Sequence, residues 1–312
     1  MKRYIITLMA LVGAIAFASA ESRADRLIRE LNNPKSEYVF VAAHRGDWRN
    51  FPENTLEAVE SAIRMGCDIV EVDVHRTADG HLVCMHDRTI NRTTNGKGRI
   101  KELTLDSIRN CKIRTGHNRR TSRYKVPTLE EMLDVCRGRV LINIDKGWDY
   151  YDQILAMLKE RGMTNHVIIK SSKSPELVKA HLAAHSENML YMPVINYTYN
   201  GWIEKRHRQL FKDYLNSSLP MIAYEICWDG TMKDEHKIFE QVAANGKRIW
   251  VNTLWDSICG GTEKGLEDDR AVWGNEEAIY GKVLATGASM IQSDRPELLI
   301  KYLESKGRRT LK

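Results

Sequence analysis

With 312 residues and 43% apolar side chains, the chain has ample material for a sizeable core, as one large domain or two small ones. Its net charge of +6 falls to about +4 once Lys2 and Arg3 are set aside with an N-terminal leader, a balance that suits an anionic small substrate and is too weak to argue for nucleic acid. Six cysteines (Cys67, Cys84, Cys111, Cys136, Cys227 and Cys259) fit no compact disulfide framework and no Cys-x-x-Cys metal site, so isolated, mostly buried thiols are expected in preference to disulfides.

In chain order, Lys2 and Arg3 precede a mostly apolar run from Ile5 to Phe17 and then Ala18-Ser-Ala, the three parts of a signal peptide over residues 1–20, with cleavage expected after Ala20. The run is shorter than the roughly twenty residues a membrane anchor needs. No cysteine stands directly after the expected cleavage site, so there is no lipoprotein signal, and no later segment is apolar enough to span a bilayer. A periplasmic or secreted protein is therefore expected, with no stable membrane insertion after cleavage.

Residues 21–37 read as a short amphipathic helix, with Leu27, Ile28 and Leu31 on the side that packs against the domain of residues 38–306. Strand-like runs follow at Val39–Ala43, Asp68–Val74, Val140–Asp145, His166–Ser171, Met189–Ile195, Met221–Cys227, Arg248–Leu254 and Ser289–Ser293. Helical patterns lie between them, for example at Thr55–Met65, Tyr151–Arg161, Pro175–His185 and Glu276–Thr286. Eight near-continuous apolar strands alternating with helices imply a parallel sheet covered by helices, and eight is the number that closes an α/β (β/α)8 TIM barrel. A short strand ending at His86 opens the exception, a turn-rich, basic insertion over residues 87–125 between strands 2 and 3; Pro127 then starts the next helix. Lys205-Arg-His-Arg and Arg308-Arg read as solvated faces.

The chemistry concentrates between Val41 and Asp87. His44 and His86 each sit at the end of a predicted strand, and between them lies Glu71-Val-Asp-Val. Side chains at i and i+2 of a strand share a face, so Glu71 and Asp73 can grip one hard cation; they read equally well as partners of arginines at the barrel mouth. In a barrel of this kind the site lies at the C-terminal strand ends, where His44, Glu71, Asp73 and Asp145 all fall.

The words His44-Arg-Gly, Pro52-Glu-Asn-Thr, Glu71-Val-Asp-Val, Thr77-Ala-Asp-Gly and His86-Asp-Arg-Thr-Ile-Asn-Arg-Thr-Thr-Asn-Gly come first. Pro127-Thr-Leu-Glu-Glu-Met-Leu, Leu141-Ile-Asn-Ile-Asp and Gly287-Ala-Ser-Met-Ile-Gln-Ser-Asp-Arg-Pro follow. In order and spacing this resembles the glycerophosphodiester phosphodiesterase family, over roughly Val39 to Leu303. The resemblance implies metal ligation by Glu71, Asp73 and Asp145, with one divalent cation, Ca²⁺ or Mg²⁺, since the donors are all oxygen. It implies His44 and His86 as the acid/base pair, Arg45 as a phosphate ligand, and His75 as a supporting group rather than a third catalyst.

The chain departs from the family's pattern in three places. Asp145 stands where relatives usually have Glu. The family's lysine falls on Gly147, which leaves Lys146 or Lys170 to supply the cation, with Lys146 preferred. Asn252 takes the place of a family tryptophan on the wall that meets the leaving group, flanked by Trp250 and Trp255. Glu53 and Asn54 read either as a cap and loop brace or as groups that order the mouth, and Trp273 as a packing residue in preference to a substrate contact.

The activity implied is hydrolysis of a small-molecule glycerophosphodiester to glycerol 3-phosphate and an alcohol. Attack by the glycerol 2-hydroxyl through a cyclic phosphate and direct attack by water both stay open. The alternatives are a phospholipase D-like enzyme acting on intact phospholipids and a non-catalytic headgroup-binding barrel.

Overall fold

The computed structural model describes residues 21–33, 35–115, 120–198, 201–230, 235–261, 265–273 and 275–311. The expected signal peptide lies outside them. Helix α1 (Arg23–Leu31) opens on a capping box, in which the Ser22 side chain accepts from Asp25 N and Asp25 reaches back to Ser22 N. It ends at Leu31, not at residue 37 as expected, because Asn32 and Asn33 turn the chain toward the first strand.

Eight parallel strands close the barrel: β1 (Phe40–Ala43), β2 (Ile69–Arg76), β4 (Leu141–Asp145), β5 (Val167–Ser171), β6 (Leu190–Tyr197), β7 (Ala223–Trp228), β8 (Arg248–Asn252) and β9 (Met290–Ser293), with β1 pairing both β9 and β2. Each matches one expected run. The ninth strand, β3 (Leu82–Cys84), pairs antiparallel with the far end of β2. The helices that follow α1 are α2 (Leu56–Met65), α3 (Leu105–Arg109), α4 (Leu129–Cys136), α5 (Tyr151–Arg161) and α6 (Pro175–Ala183). After them come α7 (Gly201–Leu215), α8 (Glu235–Ala244), α9 (Asp268–Val272), α10 (Lys282–Ala285) and α11 (Pro296–Ser305). Helix α4 is capped by Thr128 with Glu131 in a capping box, so Pro127 precedes the helix rather than starting it.

Strand alternation sorts the core into two. Val41, Val70, Ile142 and Ile169 face outward under the helices, while Phe40, Ala42, Ile69, Leu141, Ile168, Met192, Ala223, Trp250 and Met290 fill the barrel interior. Leu27 and Leu31 of α1 join the interior cluster, so this helix closes the N-terminal end of the barrel. It is fastened there by Arg248, which donates to the carbonyls of Glu30, Leu31 and Tyr38, and by Arg23, which donates to Asp68 and the carbonyls of Gly66 and Cys67. Arg309 also pairs with buried Asp68, which corrects the expectation that Arg308-Arg is a solvated face: the Arg309 side chain is itself buried. His207 of the other basic run is buried too, where it accepts the Asn196 amide N–H.

The insertion shares a small core with the segments that flank it, Ile90, Ile100, Ile108 and Ile113 packing with Val83, Met85 and Val126, and it contains α3, which the turn-rich sequence concealed. All six cysteines are free thiols, five of them buried. No helix among the described residues is long and apolar enough to cross a membrane.

Candidate active site

Two residues above the apolar interior layer, the same alternation that packs Ile69, Leu141, Ile168, Ala223 and Trp250 aims Glu71, Asn143, Lys170, Glu225 and Asn252 into the barrel. Asp73 and Asp145 stand one step higher and pair directly in register across β2 and β4. Carboxylate oxygens of Glu71, Asp73 and Asp145 all lie within 4.8 Å of one another. Glu71 and Asp73 are buried, and Asp145 is partly open to the mouth. Burial, then repulsion from Asp73 and Asp145, pushes the Glu71 carboxyl well above its ordinary range, with Lys170 and the Arg45 backbone N–H partly offsetting them. Three converging carboxylates with that mutual repulsion fit a divalent cation, and an all-oxygen set fits a hard one.

Two lysines meet this cluster. Lys146 takes a left-handed backbone conformation (φ 60°), and its ammonium pairs with Asp73 and lies 3.3 Å from Asp145 Oδ2. The reason it turns inward is Gly147: a Cβ there would lie 2.6 Å from Ile169 Cδ1 and 2.8 Å from Ile144 Cγ2, so that position packs backbone against the strands and has no room for a lysine. Lys170 is also at the site, buried, 3.0 Å from Glu225 Oε2 and 3.7 Å from Asp145 Oδ1. Burial opposes its charge, but Glu225, Asp145 and Glu71 outweigh that and raise its pKa. Burial likewise opposes ionisation of Asp145, and Lys170 and Lys146 more than reverse it, holding this carboxyl below its usual range.

His44 follows β1 directly. Its Nδ1 lies 2.8 Å from Asp294 Oδ1, which also accepts Trp48 Nε1 at 2.5 Å, so Nε2 is the ring nitrogen left for chemistry. Burial works against the Asp294 charge, yet the hydrogen bond and charge of His44 keep its carboxyl lowered. Asp294 is set in turn by its backbone N–H donating to Asp268 Oδ2 at 2.7 Å. The Trp255 ring stands edge-on to His44, at 6.2 Å between centroids. Asp294 lay unassigned within the Ser-Asp-Arg-Pro word. Its role as the orienter of His44 predicts that Asp294→Asn lowers kcat at least about tenfold, with KM nearly unchanged; the same carboxylate-to-amide change in a serine protease triad costs about 10⁴. Steady-state kinetics with a melting curve on the same sample check this, and unchanged kcat would remove the role.

His86 lies two residues past β3 and is brought level with Asp73 by a hydrogen bond from Met85 N to Asp73 O at 2.9 Å. Its Nδ1 is 2.8 Å from Asp87 Oδ1. Asp87 accepts two hydrogen bonds from Arg92, which also donates to Glu53, and Glu53 accepts Arg45 Nη1 at 3.0 Å. Burial opposes the Glu53 charge, but Arg92 and Arg45 outweigh it and hold the carboxyl lowered. The chain Arg45–Glu53–Arg92–Asp87–His86 thus ties the insertion to the barrel. Arg45 Nε is buried, 3.6 Å from Asp73 Oδ2 and without a hydrogen-bond partner, an unspent donor beside the carboxylates.

The remaining expectations divide. Asn54 (φ 59°) bonds Asp73 twice, Nδ2 donating to Oδ2 and Oδ1 accepting the backbone N–H, both at 3.0 Å, so it orders a candidate ligand; Thr55 is the cap of α2. His75 Nε2 is 3.1 Å from the His86 carbonyl, a supporting position. Burial, first, lowers its pKa. The Asn252 amide is spent inside the barrel, accepting from Trp250 Nε1 and donating to Glu225 Oε1, both at 2.8 Å. Trp250 is wholly buried, Trp255 is 45% exposed, and Trp273, at 85%, is no packing residue because it lies outside any cluster. Sequence reasoning missed Glu225, whose signal was a lone carboxylate in the apolar strand Ala-Tyr-Glu-Ile-Cys-Trp.

Gly46 completes the turn after His44 (φ 73°), and a Cβ there would meet the backbone of Ala58 at 2.8 Å, so only glycine lets the His44-Arg-Gly turn lie against α2.

Comparison with known proteins bears on the family and the fold. The profile of the glycerophosphoryl diester phosphodiesterase family matches residues 44–214, and a domain of unknown function matches residues 191–303. A glycerophosphodiester phosphodiesterase of Caldanaerobacter subterraneus subsp. tengcongensis is 38% identical over 140 residues, 43% of this chain and 58% of the relative, so the match spans little more than half of that protein. The crystal structure of a glycerophosphoryl diester phosphodiesterase from Parabacteroides distasonis shares the fold with a TM-score of 0.68 at 18% identity, covering 91% of this chain and 92% of that one. A phosphodiesterase of Oleispira antarctica, solved in complex with the product sn-glycerol-3-phosphate, has a TM-score of 0.60 at 21% identity, over 85% of this chain and 96% of that one. With the family profile spanning more than half of its length, the chain belongs to the glycerophosphoryl diester phosphodiesterase family.

Proposed function

We propose that the chain is an exported, metal-dependent phosphodiesterase that hydrolyses glycerophosphodiesters to glycerol 3-phosphate and an alcohol. The observation that carries this reading is the convergence of Glu71, Asp73 and Asp145 within 4.8 Å, beside two imidazoles each fixed through Nδ1 by a carboxylate. Family membership and the sn-glycerol-3-phosphate complex of the Oleispira protein support the substrate class.

Glu71, Asp73 and Asp145 would hold Ca²⁺ or Mg²⁺, which when bound supplies positive charge to the phosphoryl oxygens. Arg45, with an unspent Nε–H, and Lys146, at the open edge of the cluster, are placed to donate to the same oxygens. With both Nδ1 atoms engaged, the two Nε2 atoms do the proton work. One takes the proton of the attacking hydroxyl as its oxygen bonds to phosphorus, and the other gives a proton to the alkoxide released when the second P–O bond breaks. Lys170 is committed to Glu225 and Asp145 and acts from beneath as a positioning charge.

Activity of the purified chain against a panel of glycerophosphodiesters and intact phospholipids, with and without chelator, tests the reading. Chelation is expected to abolish turnover and added Ca²⁺ or Mg²⁺ to restore it; full activity in a rigorously metal-free sample would refute metal dependence. Turnover of intact phospholipid alone would favour the phospholipase D-like alternative. Export predicts a mature N-terminus at Glu21, read by sequencing the protein recovered outside the cytoplasm; recovery of the intact Met1 form from the cytoplasm would overturn it.

A further inference from the structure

A second group of metal-ligating side chains lies on the outer helical layer. Asp152, in the first turn of α5, faces His181, in the last turn of α6, and His185, one turn further and just past the end of that helix. The spacing i, i+4 puts both imidazoles on one side of the helical path. One ligand atom from each of the three residues lies within 4.8 Å of the other two, and His181 Nε2 is 3.5 Å and His185 Nε2 3.2 Å from the same Asp152 Oδ1.

A simple His–Asp hydrogen bond does not account for this arrangement. His181 Nε2 is buried and has no hydrogen-bond partner, and both rings aim the same nitrogen at one oxygen. Tetrahedral coordination does account for it, since ligand bonds of about 2.0–2.1 Å place adjacent ligand atoms roughly 3.3–3.4 Å apart. The rings are also held in place. Tyr151 meets His181 edge-on at 4.6 Å between centroids, Trp148 stands 5.2 Å from His181, and Tyr151 stands 5.5 Å from His185. The Tyr151 hydroxyl is anchored to Asn188 Oδ1 at 2.9 Å, so the aromatic wall behind the imidazoles is fixed as well.

We propose that Asp152, His181 and His185 form a binding site for a borderline transition-metal ion of the zinc type, which staples α5 to α6 on the outside of the barrel. Two imidazoles and one carboxylate suit Zn²⁺, Ni²⁺ or Cu²⁺, whereas the all-oxygen cluster at the barrel mouth suits Ca²⁺ or Mg²⁺. The chain therefore carries two sites of different selectivity. Three protein ligands leave one position for water, and the largely exposed Asp152 makes the site accessible from solvent.

Titration calorimetry with ZnCl₂ on the chelator-treated, dialysed full chain, in excess Mg²⁺ to occupy the barrel mouth, tests the proposal. One equivalent of zinc is expected to bind. Loss of an outer partner of a metal ligand costs about 10- to 100-fold in affinity, so loss of a ligand itself, in His181→Ala, His185→Ala or Asp152→Asn, should cost at least about 100-fold. Zinc should raise the melting temperature of the wild type and not of these variants. Turnover in Mg²⁺ should be unchanged in all three, which separates this site from the catalytic one. Asp152→Asn alters only an exposed side chain, so it remains informative if a histidine variant folds poorly. Zinc binding that is equal in the wild type and in Asp152→Asn, or absent from the wild type in Mg²⁺, would overturn the proposal.

Discussion

Replacing His44 or His86 by alanine is expected to lower kcat at least about 100-fold, the lower end of what a positioned acid or base contributes, while the melting temperature changes little. Each ring has its Nδ1 engaged by a carboxylate, Asp294 or Asp87, and so presents Nε2 alone. The double variant should lose far less than the product of the single losses, because two groups that move protons in one reaction act as a unit. His75→Gln is the internal control. His75 lies on the same strand as Glu71 and Asp73, but its Nε2 is spent at 3.1 Å from the His86 carbonyl, a contact that a glutamine amide N–H can also make. Its loss should therefore be small. If His75→Gln proved as damaging as His44→Ala, the assignment of the acid/base pair would be wrong.

The convergence of the three carboxylates was readable along the chain because strand periodicity is rigid. Glu71 and Asp73 had to share a face, and a parallel barrel had to bring the ends of β2 and β4 together, which places Asp145 opposite Asp73. What stayed hidden depends on contacts between distant segments or on local backbone strain. The pairing of His44 with Asp294 joins residues 250 positions apart, and the bond from Arg92 to Glu53 joins the insertion to the loop before α2. Lys146 reaches the site only because its backbone is left-handed, and that follows from the packing of Gly147 on Ile144 and Ile169, which no periodic pattern records. The burial of the Arg309 side chain was missed for a similar reason: its partner Asp68 lies just before β2, and a basic pair far along the sequence carries no mark of a distant buried carboxylate.

Lys146 and Lys170 were alternatives on sequence, and the structure sets them in different surroundings, so their methionine variants should fail in different ways. Lys146 stands at the partly open edge of the cluster, against Asp73 and Asp145, where its ammonium can meet the phosphoryl oxygens. Lys146→Met should lower kcat and kcat/KM together, by about 10²-fold, as expected when a donor that acts mainly in the transition state is lost. Lys170 is buried with Glu225, whose carboxylate also accepts Asn252 Nδ2. Removing one partner of a buried pair leaves the other charge uncompensated, so Lys170→Met should cost about 3–5 kcal/mol in stability by urea denaturation. Any fall in kcat from Lys170→Met should be smaller than that from Lys146→Met. Adding Glu225→Leu to Lys170→Met should recover most of the lost stability, because the orphaned carboxylate leaves with it. If instead Lys170→Met stays as stable as the wild type and loses more kcat than Lys146→Met, then β5 supplies the charge that meets the phosphate, and the ammonium of Lys146 serves only to neutralise Asp73 and Asp145.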